Sequence, residues 1–409
     1  MADEKELLEI LESRRLQMAN DLAEISHIPA INPRMNGKGE YKRMLWIREQ
    51  LEAAGMRCEV IEVPDNIVDE GVRLNLYTTF PGSEDTSKTL WFIAHVDTVD
   101  TGDLAMWKTD PLDPQIKDGR IYGLGCEDNT QSVIVLMHLA KLMQETGLQA
   151  KCNVSFLFVS DEEIASEYGL RALIDRGFFS ENDEALVPDG GNSNGDFVEI
   201  AEKSRVWLRF MVYGKQGHAA FPHLGINACS AGMHLGVEIE DTLKRKFDYS
   251  DPLFNPPYST FELTQKFSNV SSPNILPGED IFIMDMRILP KYTVDEVIDC
   301  IRGITDKYES DIPGITVKME FIIRADAPRP TLETSTVVQN LMVVLKARGV
   351  NARYGGIGGG TCAAFLRAQN IPAVVWSHVD EMCHQPNEYV VIDNLVKDAQ
   401  VFASTILKY

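Results

Sequence analysis

The chain has 409 residues, 44% of them hydrophobic, and a formal net charge of -22 with a pI near 4.8. That length exceeds one ordinary core and implies about two domains, and the acidity excludes an extended basic face for nucleic acid or anionic lipid. Seven cysteines lie apart without a C-x-x-C pair, and their odd number fits a reducing, cytoplasmic setting better than a disulfide framework.

At the N-terminus, "MADEKELLEILESRRLQMANDLAEIS" reads as a charged amphipathic helix without the apolar centre of a signal peptide. No segment is long and apolar enough to span a bilayer. Up to about residue 200, helices alternate with short apolar runs. "TLWFIAHV", "CNVSFLFVS" and "EALVPDGG" read as strands buried on both faces, the pattern of a parallel sheet covered by helices. Between the first two, "TQSVIVLMHLAKLMQETG" places Val133, Leu136, Met137 and Ala140 on one helical face and stops at Gly147.

Near residue 200 the texture changes. "RVWLRFMVYG" reads as a strand, "GINACSAGMHLGVEIEDTLKRKF" as a helix, "TFELTQKF" and "DIFIMDMRIL" as strands, "TVDEVIDCIRGITDKY" as a helix and "TVKMEFIIRA" as a strand. The order β-α-β-β-α-β is that of a ferredoxin-like α+β unit. The expected layout is an α/β domain of residues 1–200 and 327–409, interrupted by a smaller domain of residues 201–326. After the linker "DAPRPT", the α/β pattern resumes with "STVVQNLMVVLKARG" and "IPAVVWSHV".

Polar residues collect where the apolar runs of the first pattern end: His95 and Asp97 after "LWFIA", Asp161, Glu162 and Glu163 after "FLFVS", and Asp189 after "EALVP". In open α/β sheets, ligands bind beyond the carboxyl ends of the strands. Asp128 in "GLGCEDNTQS" stands just before a helix, and His384 in "EMCHQPNEYV" shortly follows a strand. Two histidines with several carboxylates suit zinc or a similar divalent ion. His95 then reads as a metal ligand and Asp97 as the partner that accepts its other ring N–H. Each piece alone has a plainer reading. A lone H-x-D is common by chance, "DEE" suits a solvated helix start, and "PDGG" makes an ordinary turn. Their shared position at strand ends is what points to one cleft.

The motifs "HVDTVD", "GCEDNTQS", "SDEE", "PDGG" and "HQPNEYV" resemble those of the M20 family of zinc-dependent amidohydrolases, over nearly the whole chain. The resemblance implies a zinc-peptidase-like catalytic domain with a mostly parallel sheet and an inserted lid and dimerisation domain. It implies two divalent ions, zinc first, with cobalt or manganese as alternatives. His95 and Asp189 would hold one, Glu163 and His384 the other, and Asp128 would bridge them. Glu162 matches the general base, with Asp97 supporting. In "GKQGHAAFPHLGINA", His218 matches the histidine that stabilises the oxyanion. Asn274 and Arg287 match positions that bind a substrate carboxylate, and Gly360 and Thr361 lie in the substrate-facing glycine loop "GGIGGGT". For Arg287, a structural ion pair with Asp285 is the competing reading.

The chain departs from the family pattern around Asp128, where Leu124 replaces an arginine and Asn129 to Ser132 replace a lysine and glycine. That places the substrate in question, because the segment shapes the cleft wall. The expected substrate is a small N-acyl amino acid, as in the desuccinylase and deacetylase group, or a short peptide. Asp189, where that group carries glutamate, resembles the dipeptidase branch. A homodimer through the inserted domain is expected, with no nucleic-acid or membrane partner. A non-catalytic binding protein on the same scaffold is the other class, and Glu162 discriminates, since a binder needs no base. The glycine run lacks the G-x-G-x-x-G spacing of a dinucleotide loop, and no G-x-S-x-G elbow is present.

Overall fold

The computed structural model describes residues 3–409. The chain divides into two compact units. The first comprises the chain through Ile200 with Thr331–Tyr354 and Thr361–Tyr409, and the second comprises Ala201–Pro330 and Gly355–Gly360.

The first unit is built on an eight-stranded sheet. Its order is Glu59–Pro64, Val72–Phe80, Cys152–Val159, Asp85–His95, Glu184–Gly191, Ala373–Ser377, Phe197–Glu202 and Arg353–Ile357. The four central strands run parallel, and antiparallel pairs flank them, so the sheet is mixed around a parallel core. The near-continuous apolar runs follow from helices on both faces. On one side Trp91, Ile93, Leu157 and Val159 pack with Leu170, Leu173, Ala363 and Leu366 from helices Leu170–Asp175 and Cys362–Ala368. On the other, Phe92 stacks on Phe156 at 5.5 Å between ring centroids and meets Phe402 of helix Ile392–Ile406 at 5.6 Å.

Helix Gln131–Thr146 departs from its expected one-sided pattern. Every residue from Gln131 to Met143 is buried, because helices on several sides and the sheet all pack against it. Its buried imidazole is engaged through one nitrogen, His138 Nε2 lying 2.9 Å from Asp21 Oδ2. Gly147 ends the helix with φ of 66°, a conformation glycine adopts without a Cβ penalty. The N-terminal segment forms two helices, Glu4–Ser13 and Arg15–Ser26, rather than one. The break falls at Arg14, whose guanidinium donates to the main-chain oxygen of His138 at 3.2 Å.

The second unit carries a fully antiparallel sheet in the order Thr260–Lys266, Glu279–Ile288, Ser204–Tyr213, Thr316–Ala325. With helices Ala228–Lys246 and Val294–Asp311 it is a ferredoxin-like α+β fold. Period-two alternation sends Val206, Leu208, Phe210 and Val212, and opposite them Phe282, Met284, Met286 and Ile288, into one core under the helices. Thr293 and Glu296 close a capping box at the start of the second helix. Among the described residues no helix is long and apolar enough to cross a membrane, and all seven cysteines are free.

Candidate active site

Parallel register brings the sequence motifs together. His95 is the last residue of its strand and pairs with Val159, so the Asp161–Glu163 turn begins just beyond it in the neighbouring strand, while Asp189 comes from the strand on the other side. Asp128 precedes helix Gln131–Thr146, and His384 lies in the loop after strand Ala373–Ser377.

Asp128 is the centre of this group. One of its oxygens lies 2.9 Å from His95 Nε2 and the other 3.2 Å from His384 Nε2. His95 Nε2 is also 3.4 Å from Asp189 Oδ1, and His384 Nε2 is 3.1 Å from Glu163 Oε2. Candidate ligand atoms of His95, Glu162 and Asp189 lie within 4.8 Å of one another, as do those of His95, Asp128 and Glu163. The cluster is buried at the His95 end and open at His384, whose side chain is 54% exposed.

The charges demand compensation. Burial pushes Glu162 well above the usual carboxylate range, Glu163 up to about 7, and Asp189 upward. Burial alone would lower His95, yet Asp189, Asp128 and Asp97 around it raise it well above an ordinary imidazole. Hydrogen bonds to Asp128 and Glu163 raise His384 to about 11. Burial also works against the Asp128 carboxylate, but the two imidazoles hold it well below its ordinary value. Glu163 Oε1 is buried without a hydrogen-bond partner. A buried orphan oxygen, four crowded carboxylates and two imidazoles form a donor set that fits divalent cations bound by oxygen and nitrogen.

Asp97 acts differently from the expectation. His95 Nδ1 donates to the main-chain oxygen of Asp97 at 3.0 Å, while the Asp97 carboxylate is 3.6 Å away. That carboxylate faces the Glu162–Glu163 turn, accepting from the amide of Glu162 at 2.9 Å and of Glu163 at 3.4 Å. The carbonyl thus fixes the ring of His95, and the carboxylate fixes the two glutamates. Asp161 turns away from the cluster and accepts from the Tyr168 amide at 3.2 Å.

Several supporting residues escaped the sequence reading. Asn32, fully buried, donates from Nδ2 to both Asp97 and Asp161 at 2.9 Å each. Asn129, within the departure from the family pattern, donates to Asp189 at 2.7 Å and to Pro188 O at 2.9 Å. Glu127 and Glu388 form a reciprocal brace. Glu388 accepts from the amides of Gly125, Glu127 and Asp128 at 2.7, 2.8 and 3.0 Å. Glu127 accepts from those of Asp380 and Met382 at 2.6 and 2.5 Å. Each acid therefore pins the loop that carries the other's neighbouring histidine or aspartate. The available signal was adjacency, since Glu127 precedes Asp128 and Glu388 closely follows His384.

The remaining expected site residues fall mainly in the second unit. His218 is exposed on the short strand Gly217–His218, which pairs with Ile275–Leu276, and its Nδ1 accepts from the Ala220 amide at 3.0 Å. The neighbouring Asn274 accepts from the Ala219 amide at 2.9 Å through its main-chain oxygen. The Arg287 fork is occupied by Asp285, with Nε and Nη2 bonds of 2.8 and 2.9 Å, and Nη1 donates to Gly358 O at 2.7 Å. The ion-pair reading describes this geometry, because the two share a strand face two residues apart. Gly360 belongs to the second unit and Thr361 to the first, where its hydroxyl caps helix Cys362–Ala368.

The profile of Peptidase family M20/M25/M40 matches residues 91–408. An uncharacterized metallohydrolase of Methanocaldococcus jannaschii is 36% identical over 403 residues, covering 95% of this chain and 97% of that one. A succinyl-diaminopimelate desuccinylase of Wolbachia pipientis subsp. Culex pipiens is 25% identical over 93% of this chain and 90% of its own. Among solved structures, human carnosine dipeptidase 1 superposes with a TM-score of 0.75 at 16% identity, covering 100% of this chain and 99% of that one. Aminopeptidase PepT from Bacillus cereus gives 0.73 at 18%, with 96% and 98% covered. These two likenesses concern the fold.

The brace yields a prediction. Replacing Glu127 by alanine strips the Asp380 and Met382 amides of their acceptor and loosens the His384 loop. Affinity for one of two cations should fall by about 10–100-fold, the range for lost support around a ligand, while the other stays bound. Calorimetric titration of the metal-free protein with zinc checks this, and equal loss at both sites would contradict it.

Proposed function

Because the chain belongs to the M20/M25/M40 peptidase family, and is thus a metallohydrolase, we propose that it cleaves the amide bond of a small N-acyl amino acid at a centre of two divalent cations. The observation that carries this reading is Asp128, whose two oxygens face different imidazoles. His95 and Asp189 would hold one cation, Glu163 and His384 the other, with Asp128 shared. Zinc suits the mixed nitrogen and oxygen donors, with cobalt or manganese as substitutes. Such cations, when bound, lower the pKa of water and polarise a carbonyl.

The chain's own residues supply the proton handling and the positioning. Glu163 contacts His384, whereas Glu162 stands with His95 and Asp189, so the adjacent glutamates face different partners. Burial makes Glu162 hold a proton more readily than an ordinary glutamate. It is suited to take a proton at a carboxylate oxygen and return it to the leaving amine. His218 would donate to the developing oxyanion, Asn274, Gly360 and Thr361 would line the substrate, and Asp97 would hold the Glu162 turn. Arg287 enters only as a partner of Asp285 and the glycine loop, its fork being engaged. A short peptide is the second reading, favoured by the dipeptidase-like Asp189. Seven free cysteines support a cytoplasmic setting.

The second unit supports a homodimer. Met233 and Val237 on helix Ala228–Lys246 are each 54% exposed. Leu263 on strand Thr260–Lys266, an edge of its sheet, and Phe267 just after it are exposed. An apolar helix face beside an unpaired edge is a surface that a second copy would cover.

Two measurements test these readings. Glu162→Gln should lower kcat by about 10²–10⁴-fold, the range for a general acid–base group, with metal content by elemental analysis unchanged. Loss of metal in that variant, with Glu163→Gln keeping both ions, would reverse the two roles. Val237→Glu should convert a dimer to a monomer in size-exclusion chromatography with light scattering. A wild-type monomer would refute the dimer.

A further inference from the structure

A cavity of about 330 Å³ in the first unit opens beside His384. Its walls include Met35, Val99, Trp107, Leu124 and Pro386, with Leu124 buried at its base. Asp100 and His384 are its only ionisable lining residues, and neither lysine nor arginine contributes. Trp107 Nε1 is spent on Thr101 O at 2.8 Å, so the indole offers the cavity carbon rather than a donor. The Asp100 carboxylate accepts from the Gly102 amide at 2.8 Å. The two loops that form the walls are stapled together by Asn387, which accepts from the Lys108 amide at 2.7 Å and donates to Met106 O at 3.0 Å. The cavity is therefore held open by bonds in its own walls, and its volume is that of a small-molecule subsite.

His384 connects it to the chemistry. The same side chain lines the cavity and reaches Asp128 and Glu163 with Nε2. A group filling the cavity would be attached close to the reacting carbonyl. Inside, an apolar group replaces water against carbon, which is favourable. An acidic group would lose its hydration and face Asp100, and the one lining imidazole, His384, is already engaged by Asp128 and Glu163.

We propose that this cavity is the specificity subsite for a large, uncharged apolar group, aliphatic or aromatic, flanking the scissile amide, and that it rejects acidic acyl groups such as succinyl. The proposal rests on the amidohydrolase reading given above. It separates this chain's substrate from the one named for the Wolbachia relative, and Leu124, a buried apolar lining residue, is the place where an introduced cation would reverse the preference.

The test uses the purified full chain loaded with zinc. N-acetyl, N-hexanoyl, N-phenylacetyl and N-succinyl derivatives of one amino acid are compared with dipeptides carrying Gly, Leu, Phe or Asp on either side of the amide. kcat/KM should rise by at least about 10-fold from the smallest to the large apolar groups, in keeping with the selectivity of apolar pockets, and should fall for the acidic ones. Met35→Lys at the rim and Leu124→Arg at the base should each raise the ratio of acidic to apolar substrates by about 10-fold or more, mainly through KM, with metal content unchanged. Met35 is only half-buried, so its variant answers the question if Leu124→Arg fails to fold. A flat or succinyl-favouring profile in the wild type, or a Met35→Lys effect equal on all substrates, overturns the subsite. If no amide is hydrolysed with two metals bound, the amidohydrolase reading fails by itself. The subsite is then read from binding of phenylacetate and succinate by calorimetry. Tighter phenylacetate binding that Met35→Lys weakens supports the cavity, and equal or tighter succinate binding refutes it.

Discussion

The structure depends on keeping Asp128 between two imidazoles while three other carboxylates crowd the same buried space. Like charges in a site with little water repel strongly, and burial disfavours each ionised form. The first unit answers by distributing donors. His95 and His384 approach Asp128 from opposite sides, Asn129 donates to Asp189, and backbone amides are turned toward acids that would otherwise stand alone. What imbalance remains, including the unpartnered Glu163 Oε1, is what a pair of cations would neutralise.

Behind this layer lies a second set of buried charges. Arg73 is engaged by Glu40 through two bonds of 2.6 and 2.7 Å, and its Nη2 lies 3.8 Å from Asp161. Asp161 shares Asn32 with Asp97, and Asp97 holds the amides of Glu162 and Glu163. The chain of contacts runs from the buried guanidinium to the turn with the proposed base. A guanidinium suits this place because it remains charged on burial and satisfies several acceptors at once. Asn32 adds what a charged group could not: two N–H donors between two carboxylates, without a further net charge to bury.

The sequence made the strand-end residues legible because parallel register is a strong constraint. Apolar runs of similar length end together, and whatever follows them must meet at one edge of the sheet. The ferredoxin-like order of the second unit was legible for a similar reason, since period-two and helical patterns alternate cleanly there. Atom-level roles were not legible. Nothing in "HVD" tells whether the carbonyl or the carboxylate of Asp97 takes the His95 proton, and "DMR" offers the Asp285–Arg287 pair without deciding between it and a substrate carboxylate. Helix Gln131–Thr146 misled because its periodic face was real, yet its other faces were covered by elements far away in sequence. The brace was hidden because backbone amides, invisible in a residue code, supply its donors.

Adjacent glutamates with different partners are the site's most demanding local feature, and the turn explains how the chain achieves it. Asp161 adopts φ of 62°, which ends the extended run after Val159 and lets the following amides point back at Asp97. With both amides taken up by one carboxylate, the backbone of Glu162 and Glu163 is held while their side chains diverge, one toward His95 and Asp189, the other toward His384. His384 is itself placed by a loop that Glu127 anchors, and Glu127 belongs to the segment that Glu388 anchors. Segments more than 250 residues apart thus constrain each other in both directions. Neither loop can shift without stripping buried amides of their acceptors, and that mutual cost keeps Asp128 in register with both histidines.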